Sequence, residues 1–156
     1  MRQMYFRQRF FSWFDSYDIY DETGNPLFIV KGELAWGHQL RVYDAESGRE
    51  LGLVKQRVLA LLPKFEFYTF GDYIGSIQKA FTLLFQNYRL DYRGWQVEGD
   101  CFGWNYSVYE NDTEVIGVSK ELFRLTDTYR IQVWRDEDLL PALLVVLAID
   151  AANCDK

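Results

Sequence analysis

The stretch LLPALLVVLAIDAA, residues 139–152, decides the fold of this chain. Leucine, valine, alanine and isoleucine lie on every side of a helix drawn through it, so no face is left for water. Pro141 falls in the first turn, where its missing N–H costs nothing, and Asp136 or Asp138 can cap the start. The apolar run 139–149 is shorter than the roughly twenty residues that span a bilayer. We therefore predict a helix buried on all sides, which in one small domain fits only inside a closed sheet.

Four segments before this helix share one pattern, in which a tyrosine, a polar turn, an apolar stretch and a lysine follow in order. The tyrosine and the lysine are 11, 12, 11 and 11 residues apart in the segments 20–31, 43–55, 68–79 and 109–120. Aspartate, asparagine and glycine bend the chain at the turns, so the acids there are interpreted as turn formers and not as calcium ligands. Each segment is therefore predicted to be a β-hairpin.

Further strands are predicted around these hairpins. A leading strand covers 4–11, the stretches 34–43 and 51–58 pair through the second turn, and Arg93-Gly94 joins 88–92 to 95–99 in a tight hairpin. Short strands at regular spacing favour a sandwich or a barrel. Together with the helix, they predict a mainly β chain: one domain over 1–156, formed by a closed antiparallel barrel of about twelve strands around the C-terminal helix.

Composition and charge limit the classes of function that the chain can have. About half of the 156 residues are hydrophobic and 26% are charged, which is typical of a globular domain. Lysine and arginine number 17 against 23 aspartates and glutamates, giving a net charge of -6. A nucleic-acid binder carries a basic surface to neutralise phosphates, so no nucleic-acid partner is expected.

Cysteine usage and the N-terminus indicate a cellular compartment. Cys101 and Cys154 have no metal-ligand spacing and His38 is the single histidine, so no zinc site or other metal site is expected. The two cysteines could form one disulfide, but two reduced thiols are favoured because arginines interrupt the apolar N-terminus and no secretory signal is visible. We expect a cytoplasmic location, membrane-peripheral at most, with no transmembrane segment.

No catalytic constellation emerges from the sequence. A nucleophilic triad would have to use His38, which follows Trp36-Gly37 in a predicted loop. Glu98 and Asp100 share one face of a strand and could divide acid and base roles, but Gln96 lies on the same face and a solvated strand surface explains all three. No phosphate-binding glycine loop is present. No catalytic residue and no cofactor are therefore predicted.

The repeat also predicts a group of lysines. Lys31, Lys55, Lys79 and Lys120 each follow an apolar residue by two positions, and residues two apart face the same side of a strand. If that side is the core, each lysine lies where its strand leaves the core, with the ammonium group reaching water. Equivalent hairpins would then bring some of these lysines to a common end of the barrel. The functional interpretation is a site for an anion or a lipid head group. The alternative is a set of ordinary strand-end charges that discourage edge pairing.

A barrel of about twelve strands with a central C-terminal helix resembles the tubby C-terminal-like fold, which the LURP-one-related proteins and the phospholipid scramblases share. The resemblance covers nearly the whole chain and is closest to the compact LURP-one-related members. It is carried by FS at 11–12, YDIYDETG at 17–24, VKG at 30–32, LPKFE at 62–66, WQVEGD at 95–100, VSKE at 118–121, DTY at 127–129 and LLVVLAID at 143–150.

Three functions compete, and the resemblance implies the first two of them. LURP-one-related members mostly have no assigned activity, which implies a non-enzymatic binding or scaffold module with an unidentified ligand or protein partner. The tubby branch implies binding of anionic phospholipid head groups, here through the four lysines together with Arg57 and Arg124. The cysteine cluster of the scramblases is absent. The third hypothesis is an enzyme that uses the carboxylates Glu98 and Asp100.

Overall fold

The computed structural model describes residues 1–7, 16–81, 86–121 and 128–154. These residues form twelve β-strands, one short 3₁₀ turn at Asp136–Asp138 and one α-helix. The strands are β1 Arg2–Arg7, β2 Ser16–Tyr20, β3 Pro26–Ala35, β4 Gly37–Asp44, β5 Glu50–Gln56, β6 Lys64–Thr69, β7 Asp72–Phe81, β8 Gln86–Asp91, β9 Gln96–Asp100, β10 Asn105–Glu110, β11 Thr113–Glu121 and β12 Thr128–Val133; the helix α1 is Leu139–Cys154.

All twelve strands belong to one antiparallel sheet in the order β8-β7-β6-β5-β4-β3-β2-β1-β12-β11-β10-β9. Sequential hairpins account for most of the pairings, and β1 joins the two halves by pairing with β12 from Arg2 opposite Val133 to Arg7 opposite Thr128. The ends of the sheet, β8 and β9, lie next to each other and nearly close the barrel. The predicted mainly β barrel of about twelve strands is confirmed.

Alternation along the strands places one face of the sheet on the core. In β4 the side chains of Leu40 and Val42 are fully buried, whereas Arg41 and Tyr43 between and beyond them are partly exposed. Leu40 lies opposite Val54 in the next strand, so buried rows run across the sheet. This period of two is the pattern that the sequence analysis used to predict strands.

The helix α1 fills the inside of this barrel. Every residue from Ala142 to Ala152 is buried, as its apolar composition predicts. Helix and sheet lie close together at Gly52, where a Cβ would lie 3.1 Å from Leu144 Cδ2 and 3.3 Å from the Tyr68 carbonyl oxygen. Burial of each large aliphatic side chain contributes about 1.5–3 kcal/mol, so the helix supplies a large share of the core.

An ion-pair cluster holds the start of the helix. Asp138 is completely buried, and its carboxylate accepts hydrogen bonds from Arg93 Nη1 at 3.1 Å and Arg135 Nε at 2.5 Å. Arg135 Nη2 also lies 2.7 Å from Glu110 Oε2, and Trp95 Nε1 donates to Glu110 Oε1 at 3.3 Å. These hydrogen bonds lower the pKa of Glu110, with Arg135 as the largest cause. We call Arg93, Glu110, Arg135 and Asp138 the entry cluster.

The predicted tight hairpin at Arg93-Gly94 is wrong in one respect. The turn exists, with Trp95 N–H donating to the Tyr92 carbonyl at 2.8 Å and both turn residues at positive φ. However, β8 pairs with β7 and β9 pairs with β10, and the sheet places β8 and β9 at its two ends. Trp95 turns into the core directly after the turn, where it is 1% exposed, and this directs the chain toward β10.

Two other strand predictions need correction. The stretch 34–43 is not one strand, because the chain reverses at Trp36 and Gly37 and pairs Ala35 with Gly37. Gly37 has a φ of 89°, a conformation that glycine adopts without strain. The leading strand is Arg2–Arg7, and the predicted continuation 8–11 lies outside the described residues.

Candidate functional site

The antiparallel order gives the barrel two different ends. Strands β1, β3, β5, β7, β9 and β11 run in one direction and finish at the same end, because each is separated from the next by one antiparallel strand within the sheet. We call this the lysine end. Strands β2, β4, β6, β8, β10 and β12 finish at the other end, which carries the turns 21–25, 44–49, 70–71, 92–95 and 111–112, and we call it the hairpin end.

Lys55, Lys79 and Lys120 lie near the lysine end, whereas Lys31 lies in the middle of β3 opposite Arg41. The four repeat lysines therefore share neither one end of the barrel nor one face of the sheet. Lys79 and Lys120 continue the inward-facing rows of Ile77 and Val118, which are buried. Lys31 and Lys55 follow half-buried residues on the outer face, because the core positions of their strands are Val30 and Val54. The prediction that all four lysines follow core residues is therefore wrong for Lys31 and Lys55. The turns before β3 and β5 span 21–25 and 45–49, whereas those before β7 and β11 are only 70–71 and 111–112. A nearly constant spacing from tyrosine to lysine therefore places the lysines on different faces of the sheet.

Individual contacts distinguish these cations. Lys31 Nζ lies 5.0 Å from the centre of the Tyr43 ring, and Lys120 Nζ lies 6.0 Å from that of Tyr129, which are cation–π distances. Arg57 Nη1 lies 3.5 Å from Glu66 Oε1 while the side chain stays largely exposed. Arg124 falls in the segment 122–127, outside the described residues.

A second basic group at this end was missed by the sequence analysis. Lys64, Gln78 and Arg89 form one row across β6, β7 and β8, and they line a depression of ≈ 400 Å³ on the outer face of the sheet. Asp91 also lines this depression and reduces its positive charge. Lys64 was visible in the LPKFE segment, but Arg89 lies two strands away across Gln78, follows no repeat and could not be placed beside it in advance.

Acidic residues concentrate at the hairpin end. Asp21 Oδ1 accepts hydrogen bonds from the backbone N–H groups of Thr23 at 2.8 Å and Asn25 at 2.9 Å, and Asp44 Oδ2 accepts from Ser47 N–H at 2.8 Å. Hydrogen bonds from Thr23 and Ser47 lower the pKa of Asp21 and Asp44 respectively. The interpretation of these acids as turn formers is confirmed. The charges of the two ends therefore differ, with carboxylates on the turns and lysines opposite.

Exposed apolar side chains form a second feature of the lysine end that the sequence analysis did not identify. Trp36 sits in the β3–β4 turn, and Leu59 and Leu61 sit in the loop between β5 and β6; all three are almost fully exposed. Leu34 and Val58 are also exposed beside them. We call these five residues the apolar tip. The run VLALLP at 58–63 is the sequence signal that could have indicated it.

The candidate catalytic residues do not meet. His38 is half-buried at the start of β4, where its backbone N–H donates to Gln56 Oε1 at 3.2 Å. Glu98 is exposed and lines a depression of ≈ 430 Å³ on the outer face of β9–β12, and Asp100 Oδ1 accepts from Gly103 N–H at 2.8 Å in a turn. Within the described parts of the chain, no group of three histidine, cysteine, aspartate or glutamate side chains could hold a metal ion.

Buried polar groups surround the far end of the helix. Asp150 is 5% exposed, and burial raises its pKa to about 7. Cys101 is a free buried thiol whose pKa burial raises to about 12, and burial likewise raises the pKa of Tyr106. Asn153 Nδ2 donates to the Cys101 carbonyl at 3.1 Å, and Tyr88 donates its hydroxyl to Asn153. These contacts close the barrel around the helix terminus.

The fold defines a class of proteins: twelve-stranded barrels whose inside is occupied by a C-terminal helix. The model of the LURP-one-related family matches residues 2–150, and this chain belongs to that family. The resemblance drawn from the sequence is therefore confirmed.

Two known proteins illustrate the relationship. The uncharacterized protein YxjI of Bacillus subtilis (strain 168) is 25% identical over 151 residues, which cover 96% of this chain and 93% of YxjI. An Arabidopsis thaliana protein solved by X-ray crystallography shares the fold with a TM-score of 0.67 and 19% identity, covering 96% of this chain and 90% of its own. In the part of the chain that the structure describes, no helix is long and apolar enough to cross a membrane.

Proposed function

We propose that this protein is a non-enzymatic binding module of the LURP-one-related family that meets its ligand or partner on the outside of the barrel. The observation that carries this proposal is the buried helix: the residues 142–152 occupy the space that ligand-binding barrels leave open. Protein interiors are close-packed, so a partner has to use the outer face or a barrel end.

A second candidate function is the binding of anionic phospholipid head groups. It is favoured by the separation of charge between the two barrel ends, since the net charge of -6 disfavours an anionic ligand unless cations are gathered locally. Cations toward the lysine end include Lys55, Arg57, Lys64, Lys79, Arg89 and Lys120. Each lysine near an anionic bilayer contributes about 1 kcal/mol, so several together support measurable and salt-sensitive binding.

Vesicle co-sedimentation tests the lipid candidate. We expect binding that rises with the phosphatidylglycerol content of phosphatidylcholine vesicles and falls with added salt. Charge reversal at Lys55, Lys79 or Lys120 should weaken binding about fivefold each, on the order of 1 kcal/mol. Arg49→Glu provides the matched control, because Arg49 is an exposed cation at the hairpin end. Equal loss in the Arg49 variant would show that only net charge matters and would remove the lysine end from the argument.

A turnover screen tests the proposal that the protein is not an enzyme. The purified chain is incubated with a metabolite mixture, and substrate loss is followed by mass spectrometry. Turnover that Glu98→Gln abolishes and Glu114→Gln leaves intact would establish the carboxylate hypothesis instead. We expect no turnover in any of the three proteins, because Asp100 is engaged by Gly103 N–H in its turn.

A further inference from the structure

The apolar tip is formed by two loops that project from the lysine end. Trp36 is 88% exposed and Leu59 is 96% exposed, and Leu61 has no contact that covers it. Large apolar side chains that are exposed together in this way mark a surface that meets another apolar phase. The tip contains a tryptophan, whose indole combines an apolar body with one polar N–H group.

The two loops are held against each other. A Cβ placed on Gly37 would lie 2.7 Å from Val58 Cγ2, so only glycine allows the β3–β4 turn to approach the β5–β6 loop this closely. Gln56 Oε1 accepts the backbone N–H of His38 at 3.2 Å and ties the base of one loop to the other. Trp36 and the leucines of the second loop therefore form one patch and not two separate tips.

Cations lie at the base of the same patch. Arg57 N–H donates to the Lys64 carbonyl at 2.9 Å, which closes the β5–β6 loop and places these two cations on either side of it. Lys79 N–H donates to the Pro63 carbonyl at 3.0 Å, and Lys55 precedes the loop by two residues. Two acids face this group: Glu66 lies 3.5 Å from Arg57, and Asp91 lines the depression beside Lys64. The apolar tip is thus followed, moving toward the barrel, by a layer of positive charge.

An apolar tip followed by a layer of cations matches the surface of an anionic bilayer. From the geometry we propose that the apolar tip inserts into the interfacial region of an anionic bilayer, with Lys55, Arg57, Lys64 and Lys79 at the level of the phosphates. The proposal deepens the lipid candidate above and rests on it. Tryptophan and leucine enter the boundary between head groups and acyl chains, while lysine and arginine reach the head groups.

A protein partner fits the patch less well. The cores of protein–protein interfaces are depleted in lysine, and their anchor residues are packed in pockets. Here four cations lie at the base of the patch, and its apolar side chains are exposed on loop tips. A second copy of this chain would bring the same cations together across a two-fold axis, and like charges repel. Charge complementarity therefore selects the anionic bilayer.

The experiment compares apolar variants at the two barrel ends. The triple variant Trp36→Ser, Leu59→Ser, Leu61→Ser removes the tip, and Phe70→Ser with Trp134→Ser removes two exposed aromatic side chains at the hairpin end. Partition onto phosphatidylcholine–phosphatidylglycerol vesicles should fall about a hundredfold for the tip variant, since each leucine transfer is worth up to about tenfold. The hairpin-end variant should bind as the wild type does.

Fluorescence quenching gives an independent readout. Acyl chains brominated near the head group should quench the emission of wild-type protein on vesicles. Trp36→Leu keeps the patch apolar, so it should retain binding and lose most of this quenching. Circular dichroism checks that each variant folds.

Three outcomes overturn the proposal. Salt-sensitive vesicle binding that the tip variant retains would refute insertion and leave the head-group candidate standing. Absence of binding to every vesicle composition would refute both. Self-association of the wild type that the tip variant abolishes, with no vesicle binding, would assign the patch to a protein interface.

Discussion

The two ends of the barrel differ in how far their charged and apolar side chains are engaged by the fold. At the hairpin end, carboxylates bond to turn backbones and the entry cluster buries Asp138 between two arginines, so its charges are committed to the fold. At the lysine end, Lys55 and Lys79 take part in no ion pair among the described residues, and large apolar side chains remain exposed. Charges and apolar groups that the fold does not use are available for a partner. We therefore expect the hairpin end to contribute mainly to stability and the lysine end to recognition of a partner.

The largest effect is expected in the helix that joins the two ends. Leu144→Asp would place an unpaired carboxylate beside Gly52 in the centre of the barrel, at a cost of several kcal/mol. We expect the free energy of unfolding to fall below zero and the protein to be lost from the soluble fraction. Leu144→Met, which conserves volume, is the control. Normal expression and a wild-type denaturation curve for the aspartate variant would contradict the burial.

The next largest loss of stability is expected at the hairpin end. Asp138→Ala removes the buried carboxylate that accepts from Arg93 and Arg135, and losing charge-assisted hydrogen bonds of this kind costs about 2–3 kcal/mol. Urea denaturation should show a lower midpoint with an unchanged slope. Vesicle binding at a temperature where the variant is folded should be unaltered. A variant as stable as the wild type would show that the entry cluster does not hold the helix.

The pH dependence of stability tests the interior near the lysine end. Because burial raises the pKa of Asp150 to about 7, the folded state keeps its proton while the unfolded state has lost it between roughly pH 4 and pH 7. This contribution to the unfolding free energy therefore falls as the pH rises through that window and is constant above it. Asp150→Asn should remove the slope and stabilise the protein by about 2 kcal/mol at pH 8. Parallel pH profiles for wild type and variant would refute the shifted pKa.

The smallest effect on stability is expected where the effect on binding is largest. Trp36→Ser at the lysine end should change the free energy of unfolding by less than about 0.5 kcal/mol, because the side chain is almost wholly exposed. Thermal denaturation measures this, with Trp95→Ser as the contrasting core variant, which should be strongly destabilised. A large loss of stability in the Trp36 variant would mean that the tip is structural and would weaken the division between the ends.

Local patterns were sufficient to predict most of the fold. The all-round apolar composition of 139–152 placed the helix inside, and the spaced tyrosine and lysine pattern predicted the hairpins because strand period and turn chemistry are local properties. The pairing at Arg93-Gly94 was not predictable in this way, since the core position of Trp95 decides it and burial is a property of the whole sheet. The faces of Lys31 and Lys55 were missed because the repeat spacing crosses turn residues that do not follow the strand period.

The candidate site was predictable in part. The four lysines were identified, whereas Lys64 and Arg89 become neighbours only through two strand pairings. The apolar tip shows most clearly what the sequence alone could not predict. Leu59 and Leu61 have the same composition as core residues, and only the tertiary structure reveals that they stand in solvent.

The order of the elements along the chain has a consequence for synthesis. The helix that forms the core follows all twelve strands, and β1 pairs with β12 through contacts such as Arg2 with Val133. During translation the strands therefore emerge before the surface on which they pack. Contacts between residues so distant in sequence slow folding and leave strand edges exposed in the meantime. We expect the nascent barrel to remain a substrate for chaperones until the helix leaves the ribosome, and only then to close around it.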